Sequence, residues 1–141
     1  MKIKVILASS SQELVRSQLA NRQKALAPGT EITIVAPGKC PPSTEGEVDE
    51  ILAAPQILSE VIKAKEEGFN AVTIDCTLEP GLRAAKQVSS IPVVGAGGGS
   101  SFSCSNPRRA FFHPGTAAIK LAEVLATTGW TPAQLMRKKK E

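Results

Sequence analysis

The residues best suited to chemistry are three cysteines, Cys40, Cys76 and Cys104. Cys76 is singled out by its place. It follows Ala71-Val72-Thr73-Ile74-Asp75, a β-branched and small apolar run that predicts a strand, and it precedes Pro80-Gly81, where a helix is expected to start. A second apolar run, Ile91 to Val94, leads into Gly95, Gly97, Gly98 and Gly99. Strand, turn, helix and strand in so short a span form a βαβ unit with parallel strands. The Cys76 thiol then lies at the carboxyl end of a parallel strand, the edge at which open α/β sheets bind ligands. A helix N-terminus just beyond it would favour thiolate over thiol and could hold a substrate carboxylate on its N–H groups. The alternative is a buried structural cysteine. Spacing alone leaves both open.

The other reactive residues carry weaker signals. Asp75 could act as a base beside Cys76, but a strand-end Asp bonded to nearby backbone is the preferred reading. His113, the single histidine, precedes a proline and a helix start, which suits a loop or helix-terminal position better than catalysis. Arg108-Arg109 reads as a solvated loop pair rather than an anion site. The glycines at 95 and 97–99 lack the Lys-Ser/Thr of a phosphate loop and follow the fourth strand, so they read as linker. The three cysteines have no metal-ligand spacing and are an odd number. Neither a metal site nor a disulfide framework is expected.

The elements that position Cys76 can be read in order. Lys2 to Leu7 predicts a first strand, and Ser9, Ser10 or Ser11 can cap the helix that follows. That helix is expected from Gln12 to Ala27, with Val15, Leu19, Arg22 and Leu26 on one stripe and the arginine stem covering apolar surface. Pro28-Gly29 stops it. Glu31 to Ala36 alternates as a more exposed, edge strand. A long loop, Pro37 to Glu47, is followed by a helix to Glu67, expected to break near Pro55 and to bury Ile57, Leu58, Val61 and Ile62. Gly68 is its expected C′ residue. After the βαβ unit, residues 97–114 show neither period and read as a Gly/Ser-rich linker. The pattern resumes in a helix over Thr116 to Thr128, with Ala118, Leu121, Val124 and Leu125 inward. Right-handed crossovers give a single three-layer α/β domain: a four-stranded parallel sheet of flavodoxin-like order 2-1-3-4, with helices on both faces.

Composition sets the outer bounds. A chain of 141 residues has room for one domain. Its 42% hydrophobic residues include only four Phe and one Trp, so the core is expected to be Val, Ile, Leu and Ala. The net charge of +4 is concentrated: Arg137, Lys138, Lys139 and Lys140 against Glu141 supply three of the four units. Such a basic tail, residues 136–141, reads as a solvated end and gives no ground for nucleic acid or membrane binding. With no signal-peptide pattern and no 18-residue apolar run, a cytoplasmic protein is expected.

Three motifs together resemble the aspartate/glutamate/hydantoin racemase superfamily, the hydantoin racemase branch above all. They are Cys76-Thr77-Leu78-Glu79-Pro80-Gly81-Leu82, Ile91-Pro92-Val93-Val94-Gly95 and Pro42-Ser43-Thr44-Glu45-Gly46. The segment from His113 to Glu123 is similar to the helix with which family members return to their first domain. The resemblance implies cofactor-independent racemisation by a pair of cysteines, and Cys76 falls on the first of the pair. It also implies that Ser9, Ser10, Thr77, Leu78 and Glu45 face a small carboxylate or hydantoin substrate.

The departures are equally informative. Family members carry two similar domains across a cleft, each giving one cysteine. Here residues 97–114 stand where the second domain is expected, so 1–141 resembles a first domain closed on itself. Two-base racemisation needs a thiolate on one face of the carbon and a thiol on the other. Cys104 sits in no family-like context, so a homodimer is the expected way to supply the second thiol. The alternative is a catalytically inactive relative that binds a small carboxylate or a protein partner. The family's N-P-N-[ST] reads Leu7-Ala8-Ser9-Ser10, and Glu79 replaces the usual Asp.

Overall fold

The computed structural model describes residues 1–97 and 113–129. The bulk of the predicted linker, with Cys104 and Arg108-Arg109, and the basic tail lie outside the described residues. Four strands, β1 (Lys2–Leu7), β2 (Glu31–Val35), β3 (Ala71–Asp75) and β4 (Val93–Gly95), make one parallel sheet in the order β2-β1-β3-β4. This is the expected flavodoxin-like order. Ile3 is level with Ile32 and Ala71, and Val72 with Val93.

The helices are α1 (Gln12–Gln23), α2 (Glu47–Ala64), α3 (Leu82–Val88) and α4 (Pro114–Thr128). Side-chain alternation along the strands splits the core into two layers. Ile6, Val72, Ile74 and Val93 meet Ala53, Ile57 and Val61 of α2 and Ala85 of α3. Ile3, Val5, Leu7, Ala71 and Val94 meet Ala118, Ile119 and Ala122 of α4, with Val15 and Leu19 of α1 packed against them. Lys4, though on a central strand, is buried because it pairs with Glu60 at 2.7 Å and Glu67 at 2.6 Å.

Several local expectations change. Ser11 is the residue that caps α1, accepting the Leu14 N–H, and the helix ends at Gln23, short of Ala27. α2 runs through Pro55 without a break. Pro55 lies on the exposed side, so the helical bond it cannot donate frees the Ile51 carbonyl on a face open to water. On the same side Val48, Ile51, Leu52 and Ile62 stay exposed, so Ile62 is not a core residue. In α4, Leu121 and Val124 point outward, and the small Ala118 and Ala122 bring the helix close to the sheet. α4 ends where expected, at Gly129 in the left-handed region (φ 69°).

Candidate active site

All four strands end at one edge, and the segments after them build the site. At the end of β1, Ser9 is buried. Its hydroxyl donates to the Pro42 carbonyl (2.6 Å) and accepts from the Ser11 N–H (3.0 Å). The Ser10 N–H donates to Pro41 O at 3.0 Å, and the Thr44 hydroxyl donates to Ala8 O. The Pro42-to-Gly46 motif is thereby tied to the end of β1. Ser9 serves this lacing, with its oxygen engaged on both sides. Ser10 is half-buried at the edge, while Glu45 is exposed and its N–H is held by Asp49 at 3.0 Å.

Cys76 directly follows β3 and is half-buried, packed on the α2/α3 core layer. The expected helix N-terminus is farther off than the sequence suggests. Thr77 to Gly81 form a turn, and α3 starts only at Leu82. The N–H groups beside the sulfur belong to that turn, those of Leu78 and Glu79, and they favour thiolate. Burial opposes them, and with Glu50 and Asp75 nearby it pushes the thiol above its ordinary range. Desolvation wins, so the resting group is a thiol. Thr77 and Leu78 of the turn are exposed. Cys40 is buried in the same core layer, and burial raises its thiol too.

The turn is held from below by glycines. Glu79 adopts φ 56°, in the left-handed region, and Gly81 follows at φ 71°. The Glu79 side chain lies on the backbone of Gly95 and Gly97, and a Cβ at either position would collide with it. Gly95 and Gly97 are thus packing residues of the site, a correction to their reading as linker. Gly98 and Gly99 lie outside the described residues. Gly81 rests on Ala54 of α2 for the same reason, with a Cβ there only 3.3 Å from the Ala54 Cβ.

Sequence reasoning missed the partner of Asp75. Its carboxylate forms an ion pair with Arg22, which is 1% exposed, rather than bonding to nearby backbone. Gln18 Oε1 accepts from Arg22 Nε at 3.1 Å and from Nη2 at 3.0 Å. The signal was present as an arginine within an apolar stripe and an aspartate closing an apolar strand. His113 caps α4, its Nδ1 accepting from the Gly115 N–H at 3.2 Å. Among the described residues no group of three or more His, Cys, Asp or Glu is placed to hold a metal ion. No helix of the described residues is long and apolar enough to cross a membrane.

Comparison with known proteins agrees with this geometry. A family model described as Asp/Glu/Hydantoin racemase matches residues 3–106. A hydantoin racemase of Pseudomonas sp. (strain NS671) is 38% identical over 95 residues, which are 67% of this chain and 38% of that protein. One from Paenarthrobacter aurescens is 38% identical over 96 residues, 67% of this chain and 41% of its own. Among solved structures, an allantoin racemase from Klebsiella pneumoniae superposes with a TM-score of 0.70 at 28% identity, covering 89% of this chain and 54% of that one. The matched residues therefore span well under half the length of these hydantoin racemases.

Proposed function

The chain belongs to the Asp/Glu/hydantoin racemase family, and from that membership we propose that it inverts a carbon-bound stereocentre next to a carbonyl, with Cys76 as the proton-transfer thiol and no cofactor. The observation that carries this reading is the place of Cys76. It is half-buried at the carboxyl end of β3, with the Leu78 and Glu79 N–H groups turned toward its sulfur. The substrates that suit it are hydantoins, allantoin-like cyclic ureides or amino-acid carboxylates. Their carbon acid is made labile by an adjacent carbonyl whose developing negative charge needs hydrogen-bond donors. We assign that role to Thr77, the Leu78 backbone and Ser10. Glu45, exposed on the Pro42-to-Gly46 loop, is assigned to the same substrate, and Ser9 acts by holding that loop.

In the forward direction Cys76 first loses its own proton to solvent, the resulting thiolate takes the proton from carbon to leave an enolate, and a thiol on the opposite face returns one. The second thiol is assigned to another copy of this chain. An apolar strip near the edge, Val48, Ile51 and Leu52 of α2 with Leu78 of the turn, is exposed and suits two-fold pairing. On this reading one copy of the chain supplies one catalytic half. A second reading, a non-catalytic relative that binds a carboxylate, is favoured by one observation: burial holds the Cys76 thiol above its usual range.

The two separate in deuterium oxide. NMR of an optically pure 5-substituted hydantoin should show deuterium entering at C5 with loss of optical rotation, and Cys76→Ser should abolish both. Sedimentation should find a dimer. Protein that exchanges no deuterium on hydantoin, allantoin or amino acids would favour the binding module.

A further inference from the structure

We propose that Arg22 and Asp75 form a positioning pair for Cys76, pinning the end of β3 to α1 and α4 and drawing the Asp75 carboxylate to the side of the sheet opposite the thiol. The geometry behind this is local and specific. Asp75 and Cys76 are consecutive, so strand alternation sends their side chains to opposite faces. Cys76 packs on the α2/α3 layer, while Asp75 meets Arg22 of α1 beneath the first turn of α4. Gly115 seals the pair, since a Cβ there would collide with both the guanidinium and the Asp75 carboxylate. Arg22 Nη1 is buried with no hydrogen-bond partner among the described residues. The guanidinium favours the anion of its carboxylate partner, while burial, the larger influence, holds the Asp75 carboxyl above its ordinary range.

A carboxylate one residue from the sulfur acts on it through the strand, and the paired guanidinium offsets that charge. The carboxylates close enough to act on the thiol are Glu50 from α2 and Asp75 from β3, the latter from across the strand, and both oppose thiolate. Those that face Asp75 are Arg22 from α1 and His113 from the cap of α4. Burial is the largest influence on Asp75 and raises its carboxyl, with Arg22 next, pulling it down. The pair thus decides how much of the Asp75 field reaches the site. Neither residue touches a substrate, and both act through the thiol.

This inference rests on Cys76 being the reactive group of the proposed racemase, but its test does not require turnover. The rate of iodoacetamide alkylation at Cys76, followed by mass spectrometry from pH 6 to 10, gives the thiol midpoint in the folded protein. Asp75→Asn should lower that midpoint and raise the rate at pH 7 by about three- to tenfold, the equivalent of half to one pKa unit. The double variant Asp75→Asn/Arg22→Met removes both charges together, and its midpoint should fall by less. Should the single variant not fold, the double variant decides. Midpoints unchanged in both would leave the pair purely structural and overturn the inference. A shifted midpoint in protein that exchanges no deuterium would uphold it while ending the racemase reading. Racemisation with unshifted midpoints would do the reverse.

Discussion

The Thr77 carbonyl oxygen sits so close above Gly97 that a Cβ at residue 97 would lie 2.5 Å from it. The turn that carries Cys76 therefore rests directly on the backbone that leaves β4. The Glu79 side chain lies against the same glycine, so the two segments close on each other around residue 97.

Gly97→Ala follows from this contact. The neighbour is backbone rather than the flexible end of a side chain, so the turn itself must move. We expect a loss of about 1–3 kcal/mol in urea unfolding, the range for overpacking. Deuterium exchange on substrate should fall further, by roughly 10–100-fold, as reacting groups are misplaced. At Gly95 the obstacles are the ends of the Glu79 and Leu82 side chains, which can yield. Gly95→Ala should thus be the milder variant on both measurements.

The Arg22–Asp75 pair should be costly to break and cheap to remove. Arg22→Met leaves an uncompensated buried carboxylate, and about 3–5 kcal/mol of stability should be lost. Arg22→Met with Asp75→Asn should recover most of it in denaturant titrations. Additive losses in the double-mutant cycle would show that the two side chains do not interact.

Acid stability should depend on Glu123. Burial tends to raise its carboxyl, but the Ala27 N–H and Lys120 more than offset this, so its folded value lies below the ordinary one. A lowered folded pKa gives stability that is present above the unfolded value, about 4.3, and is lost as pH falls through the folded one. Glu123→Gln should therefore be less stable than wild type at pH 7, with the gap closing by about pH 3. Thermal melts at the two pH values read this directly. Glu60, lowered chiefly by Lys4 against its own burial, adds a contribution of the same sign.

Between the two described cysteines, Cys76 should be alkylated first at every pH. Both thiols are raised by burial, but Cys76 is half-exposed and has two N–H groups favouring its thiolate, whereas Cys40 has burial alone. The Cys76 rate should keep climbing beyond pH 8.5, the usual thiol value. A plateau near pH 7 would mean that the turn outweighs desolvation.

The sheet was legible because β1, β3 and β4 are apolar runs and crossover handedness leaves few orders. Helix faces were less so. α2 is apolar on two sides, and periodicity finds both stripes without saying that Ile57 and Val61 face the sheet while Ile62 does not. In α4 the larger Leu121 and Val124 attract the eye, yet close approach to the sheet selects Ala118 and Ala122. In the site, motif order located Cys76 and its edge. The residues that support it, Arg22, Gly95 and Gly97, act through contacts between segments far apart in sequence. An arginine in an apolar stripe or a cluster of glycines carries no mark of what it will touch.

The strand order has a consequence for how the chain folds. β1 lies inside the sheet, and its Lys2 N–H is bonded to Asn70, 68 positions away. Its apolar side chains are not covered on both faces until α2 arrives over Ile6 and α4, still later in the chain, arrives over Ile3, Val5 and Leu7. High contact order of this kind slows folding and prolongs the exposure of an unpaired strand. Recovery after refolding should thus fall with protein concentration, because the vulnerable species is an early one whose centre is still waiting for its neighbour.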